Sequence, residues 1–172
     1  TRIDLVLEDV QLAAPATAVA GPAYRVRFRN QGTEAAGPFA VAILAGGDGN
    51  LSKEAPRALV AMPGLEAGET KEVTLRLPMA ATKLTSKSSA TPVMFSRLFV
   101  AVDLTGRIAE LDKSNNGAVV KRSDLEQAAQ ADAEPAAQAD AAPAAEKPAD
   151  QAAETTDKTA GVDAQQTSAD QQ

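Results

Sequence analysis

The stretch Tyr24-Arg25-Val26-Arg27-Phe28-Arg29-Asn30, running on through Gln31-Gly32-Thr33 to Gly37-Pro38-Phe39, decides the fold. Tyr24, Val26 and Phe28 alternate with Arg25, Arg27 and Arg29. A period of two sends successive side chains to opposite faces of an extended chain, so one face here is apolar and the other cationic. Such a strand needs a core on one side and water on the other. The polar turn after Arg29 leads into a second apolar run, as in an antiparallel β domain.

Six further strands can be read outward from this one. Residues 4–12 offer Leu5, Leu7, Val10 and Leu12 to a core, and the change from odd to even positions predicts a bulge near Glu8 and Asp9. The other strands are expected at 39–44, 58–62, 70–77, 95–103 and 118–122. Between them stand the turn clusters Gly46-Gly47-Asp48-Gly49-Asn50 and Pro63-Gly64-Leu65-Glu66-Ala67-Gly68-Glu69. Pro78 ends the fifth strand, and a polar loop is expected from there to about Val93. Tyr24 and Phe28 belong to the core by their period; Phe39 and Phe95 either join them or lie at strand ends. Seven short strands and no amphipathic helix of useful length predict an all-β antiparallel sandwich.

Composition divides the 172 residues into two parts. All four Phe, the one Tyr and the three Met precede Ser123; beyond it the aliphatics larger than Ala are Leu125 and Val162. A segment that buries so little cannot offset its ordering entropy. One domain is therefore expected over residues 1–122 and a disordered, acidic, Ala/Gln/Pro-rich tail over 123–172. Charge divides at the same point, +3 before it and −9 after it within a net −6. The tail repeats itself: Ala128-Ala129-Gln130-Ala131-Asp132-Ala133-Glu134-Pro135 is followed by Ala136-Ala137-Gln138-Ala139-Asp140-Ala141-Ala142-Pro143. A proline every eight residues is expected to stop each helical attempt, leaving an extended spacer.

Several classes of function are disfavoured. The chain has no Cys and no His, so the commonest nucleophile, general base and zinc ligands are missing together. An acidic tail and a domain near neutrality disfavour nucleic acid as a partner. No apolar run is long enough to span a membrane as a helix. The first residue is Thr1 rather than Met, as expected of a chain freed from a signal peptide or excised from a longer one.

Four pieces, in order, resemble the CARDB family, the cell-adhesion-related domain of bacterial surface proteins. Asp4-Leu5-Val6-Leu7 with Val10 is similar to its opening strand. Arg27-Phe28-Arg29-Asn30-Gln31-Gly32-Thr33 with Ala36-Gly37-Pro38-Phe39 is similar to its central motif. Pro63-Gly64-Leu65-Glu66-Ala67-Gly68-Glu69-Thr70 is similar to its turn. Val100-Ala101-Val102-Asp103, Ile108-Ala109-Glu110 and Asn115-Asn116 are similar to its closing stretch. The resemblance spans about residues 3–122. It implies an Ig-like sandwich of seven strands with a binding or adhesive role in a secreted or envelope protein. Lys113 stands where the family often carries a carboxylate, and the loop from Met79 to Val93 is longer than expected.

Three sets of residues are candidates for contact. Asp103, Glu110, Asp112, Asn115 and Asn116 cluster oxygens that calcium favours; the same residue types also close tight turns on backbone amides. Arg25, Arg27 and Arg29 form a basic face that meets either an acidic polymer, the chain's own tail, or cross-strand partners such as Glu8 and Glu72. Thr82, Lys83, Thr85, Ser86 and Lys87 lie in the long loop, where sandwiches often recognise ligands. The expected function is a non-catalytic, extracytoplasmic binding module without cofactor, whose partner is a protein or cell-surface polymer. The alternatives are a spacer without ligand, a calcium-stabilised adhesin and an accessory domain of an enzyme.

Overall fold

A computed structural model describes residues 2–48, 51–86 and 89–138. Strands β1 (Leu5–Ala14), β2 (Ala23–Asn30) and β5 (Thr70–Arg76) form one antiparallel sheet in the order β1-β2-β5. Strands β3 (Phe39–Gly46), β4 (Arg57–Met62), β8 (Arg97–Val102) and β9 (Gly117–Lys121) form a second in the order β4-β3-β8-β9. The two inner faces close on each other as an Ig-like sandwich. The alternation in β2 is realised: Tyr24, Val26 and Phe28 have no exposed surface, while the three Arg point outward. Val41 and Ile43 of β3 meet them with Leu98, Val100 and Val102 of β8. Phe39 and Phe95 are both core residues, packed edge-on against Phe28 and Tyr24 at ring distances of 5.9 and 6.3 Å. The predicted irregularity in β1 lies between Leu7 and Asp9, where the register with β2 shifts.

Two expectations are corrected. Residues 79–93 are not a plain loop. They form a 3-10 turn over Met79–Thr82 and a small hairpin of β6 (Leu84–Ser86) and β7 (Ser89–Val93). Their Ser, Thr and Lys content hid the strand character, while Ala81 of the turn is buried and Leu84 packs on the core. The disordered segment expected from Ser123 is also corrected over residues 123–138, because α1 occupies Arg122–Gln138. Leu125 is buried in the core, and Arg122 pairs with Glu126 one turn on. One large aliphatic side chain placed directly after β9 is enough to dock the first turns, although their composition alone argues against order. The helix passes Pro135, where one i to i−4 bond is necessarily absent. The rest of the expected tail, including most of the second repeat, lies outside the described residues.

The outer faces of the two sheets differ. On β1-β2-β5 the outward face carries two cross-strand ion pairs, Arg25 with Glu72 at 3.2 Å and Arg27 with Glu8 at 3.1 Å. On β4-β3-β8-β9 the outward residues of the two central strands are Ala40, Ala42 and Leu44 beside Phe99 and Ala101. Leu59 and Val119 flank them on the edge strands and are 51% and 55% exposed.

Candidate functional site

β8 ends at Val102, and Asp103 then takes a φ of 55°. Asp tolerates this left-handed geometry because its short side chain can bond the local backbone. The Asp103 carboxylate accepts N–H bonds from Arg107 at 3.1 Å and Ile108 at 2.8 Å, and a hydroxyl bond from Thr105 at 3.4 Å. Asp103 therefore closes its own turn. Asp112 does the same on a smaller scale, accepting the Ser114 hydroxyl at 2.6 Å and the Ser114 N–H at 2.8 Å. Those two bonds hold its carboxyl below the ordinary 3.8.

Glu110 reaches further. Its carboxylate accepts the Leu5 N–H at 2.8 Å and the Asn116 side-chain amide at 2.7 Å. Burial pushes this carboxyl above the ordinary 4.5, with the Leu5 N–H and then the Asn116 amide pulling against it; nearby Asp103 adds to the push and Lys113 opposes it. Asn115 donates its side-chain amide to Asp4 at 3.0 Å, and its backbone oxygen accepts the Leu7 N–H at 3.0 Å. The Leu111 N–H donates to the Ile3 oxygen at 3.1 Å. These bonds tie the start of β1, in one sheet, to the segment that leads into β9 of the other.

The structure thus brings Glu110, Asn115 and Asn116 together with Asp4, sets Asp103 beside them and leaves Asp112 apart in its own exposed turn. Lys113 turns away from the group and donates to the Gly106 oxygen at 2.9 Å. Among the described residues no three carboxylates are arranged to hold a metal ion. The side-chain oxygens of Asn115 and Asn116 are nevertheless buried without a hydrogen-bond partner.

Sequence reasoning gave Asn30 no role of its own, though it is fully buried. Its side-chain amide donates to the Glu34 oxygen at 2.8 Å and the Leu65 oxygen at 3.2 Å, and its side-chain oxygen accepts from Gly32 at 3.1 Å and Asp4 at 3.4 Å. One side chain therefore joins the turn after β2, the turn before β5 and the start of β1. A Cβ on Gly32 would lie 2.0 Å from the Arg2 oxygen, so glycine is required where the two chains touch. The signal was the Asn-x-Gly pattern beside a strand, which marks a turn and does not reveal burial.

The other candidates are scattered. Arg25 and Arg27 are held in the ion pairs described above, and Arg29 shares their outward face. Lys83 and Thr85 are exposed at the hairpin, and the Thr82 hydroxyl donates to the Met79 oxygen at 2.8 Å. Ser86 ends β6, and Lys87 lies outside the described residues. A groove of about 350 Å³ runs between α1 and the end of β1, lined by Leu12, Pro15, Pro22, Met94 and Ala129, with Glu126 at its polar side. Beside α1, the Tyr24 hydroxyl is buried without a partner, and its pKa is pushed up to about 12. Burial is the main cause; Glu126 adds to it and Arg122 opposes it.

With two antiparallel sheets packed face to face and a capped turn ahead of the last strand, the molecule is an Ig-like module. It belongs to the CARDB family, whose model matches residues 2–120. That family is in general non-catalytic, and its domains occur in cell-surface proteins. No curated protein matches the chain. Among solved structures, it is similar to a domain of a Methanosarcina acetivorans protein described as a cell-surface protein, at 19% identity. That similarity covers 70% of this chain and 90% of the other, with a TM-score of 0.46. A Pyrococcus furiosus CARDB domain solved with two metal ions is 20% identical over 70% of this chain and 86% of its own, with a TM-score of 0.44. A Streptomyces venezuelae β-glucosidase matches 69% of this chain over 15% of its own length, at 16% identity and a TM-score of 0.41. No helix among the described residues is long and apolar enough to cross a membrane.

Proposed function

We propose that the chain is a non-catalytic, extracytoplasmic binding module of the adhesion type. The sandwich is its frame, and its loops and outer faces meet a protein or a cell-surface polymer. The observation that carries this reading is how the polar groups of the closing segment are used. Asp103, Glu110 and Asp112 all accept hydrogen bonds that hold turns and strands in place. The carboxylates best placed for chemistry are thereby committed to the frame, which leaves the surface for recognition. The test is retention: the full chain, immobilised, is offered envelope extract and purified cell-wall polymers. Specific retention of one component supports the reading; retention of none leaves a pure spacer.

A second reading, a calcium-stabilised adhesin, is favoured by the two unpartnered oxygens of Asn115 and Asn116 beside Glu110. A ligand that binds only the folded state must raise the melting temperature. Millimolar calcium raises it, and chelator reverses the rise, if the second reading holds; no rise removes it.

A further inference from the structure

α1 follows β9 without a break, yet only its first turn is held firmly. The Arg122 N–H donates to the Ser96 oxygen at 2.9 Å and its side chain to the Phe95 oxygen at 2.7 Å, so Arg122 extends the β8-β9 pairing by one bond. Leu125 is buried in the core. Past it, the helix offers Glu126, Ala129 and Ala133 to the groove, and every side chain from Gln130 to Ala133 is exposed. Leu12, Pro15, Pro22 and Met94 face them across a space of about 350 Å³ that alanine is too short to fill. Walls with no atoms opposite forfeit the dispersion contacts of a packed interface. Among the described residues the Tyr24 hydroxyl beside α1 is buried without a partner as well.

We propose that residues 123–138 form a latch that opens as one unit while both sheets stay folded, with Leu125 as its pin and Arg122 as its hinge. Segments with few buried apolar groups are the ones that open locally. Among its described side chains the helix buries one large aliphatic, whereas β2 alone buries Tyr24, Val26 and Phe28. Opening gives up one leucine and part of the groove lining; unfolding the sheets gives up the whole core. A helix of this length is marginal by itself in water. Pro135 removes one of its bonds. Once Leu125 leaves its pocket, little in the helix resists unwinding.

The chain runs on past α1 to Gln172, so a pull from that side reaches α1 before it reaches β9. Such a load draws out Leu125 and uncovers Leu12 and Met94, while β9 keeps its ladder with β8. The latch thereby turns tension on the C-terminal side into newly exposed apolar surface with the sandwich still intact.

Native-state hydrogen exchange on the full chain tests the latch. The amides of residues 126–133 share one opening equilibrium and exchange at least about tenfold faster than those of the central strands β2 and β3. Ile43→Val, in the middle of β3, speeds exchange in β2 and β3 about fivefold and leaves α1 unchanged, because α1 opens without the sheets. Ala129→Leu puts a larger side chain into the groove and slows exchange in α1 about fivefold. The chain has no cysteine, so ones introduced at residues 1 and 172 serve as handles for pulling. Under load the chain first lengthens reversibly by roughly 30 Å, the difference between helix and extended chain over the latch, below the force that opens the sheets. Protection that merely fades toward Gln138, α1 amides that follow Ile43→Val as fully as the strands do, or no slowing in Ala129→Leu overturns the proposal. So does a single unfolding step under load.

Discussion

The two outer faces of the sandwich are built on the same pleat and carry opposite chemistry. At the centre of β1-β2-β5, β2 alternates strictly, and its outward Arg25 and Arg27 are matched by Glu from neighbouring strands. β4-β3-β8-β9 abandons alternation in β3 and presents aliphatic and small residues to the outside. The first face pairs Arg25 and Arg27 with Glu; the second leaves apolar surface in water at its edge strands, at Leu59 and Val119. A strand's period thus tells more than which side is buried. Where it breaks, the strand is covered on both sides: Ala42 and Leu44 of β3 are buried although they lie on the outer face.

The comparison breaks first if the inner faces are damaged, since both outer faces rest on them. Phe28→Ala removes a fully buried ring from β2 and is expected to cost about 3–5 kcal/mol in denaturant unfolding. Arg27→Ala, one residue away and outward, is the control. Next comes α1, which crosses from β9 to β1 along one flank. Leu125→Ala is expected to cost about 2–4 kcal/mol. Truncation after Arg122 should cost at least as much, while truncation after Gln138 leaves the unfolding midpoint in place. An unchanged midpoint on truncation at Arg122 would return the domain boundary to that residue.

The outer faces themselves come third. Arg27→Ala is expected to change stability by about 0.2–1 kcal/mol, less in high salt, because its partner is a surface pair. Leu59→Lys, half exposed on the edge strand of the other sheet, is expected to change stability by less than about 0.5 kcal/mol. The smallest effects are titrations. Glu110 titrates above its ordinary value because burial disfavours its charge; its contribution is fully present at low pH and is lost as pH rises through its folded pKa. Asp112 is displaced downward; its contribution is present above its ordinary value and is lost as pH falls through its folded pKa. Carboxyl NMR shifts should therefore move the two midpoints apart, and Glu110→Gln should remove the upper one.

Much of the architecture was legible because a one-sided strand writes its face into its period. All seven main strands are in place, with the β1 bulge where the phase changes. The ion partners of Arg25 and Arg27 followed from the same outward row. What stayed hidden is held by single residues. Leu125 is one apolar side chain in a run of Ala, Gln and Asp, and no periodicity surrounds it. The β6-β7 hairpin sets the apolar pair Leu84 and Val93 in a run rich in Ser and Thr, so its strands lack the apolar contrast that reading relies on. Asn30 looked like a turn residue, and only the backbone oxygens around it reveal that it is a buried junction. Within the candidate cluster, composition brought five oxygen-bearing residues together, but composition cannot say which donors reach them; backbone N–H groups had already claimed the carboxylates.

The junction of Glu110, Asn115 and Leu111 with residues 3–7 has a mechanical consequence. It fastens the first strand of the domain to the approach of the last, at the end of the sandwich where the chain enters β1. Tension applied at the first residues would load this clasp before it reached the β1-β2 ladder. Loosening Glu110 or Asp103 should therefore lower the force at which the module yields far more than it lowers the melting temperature.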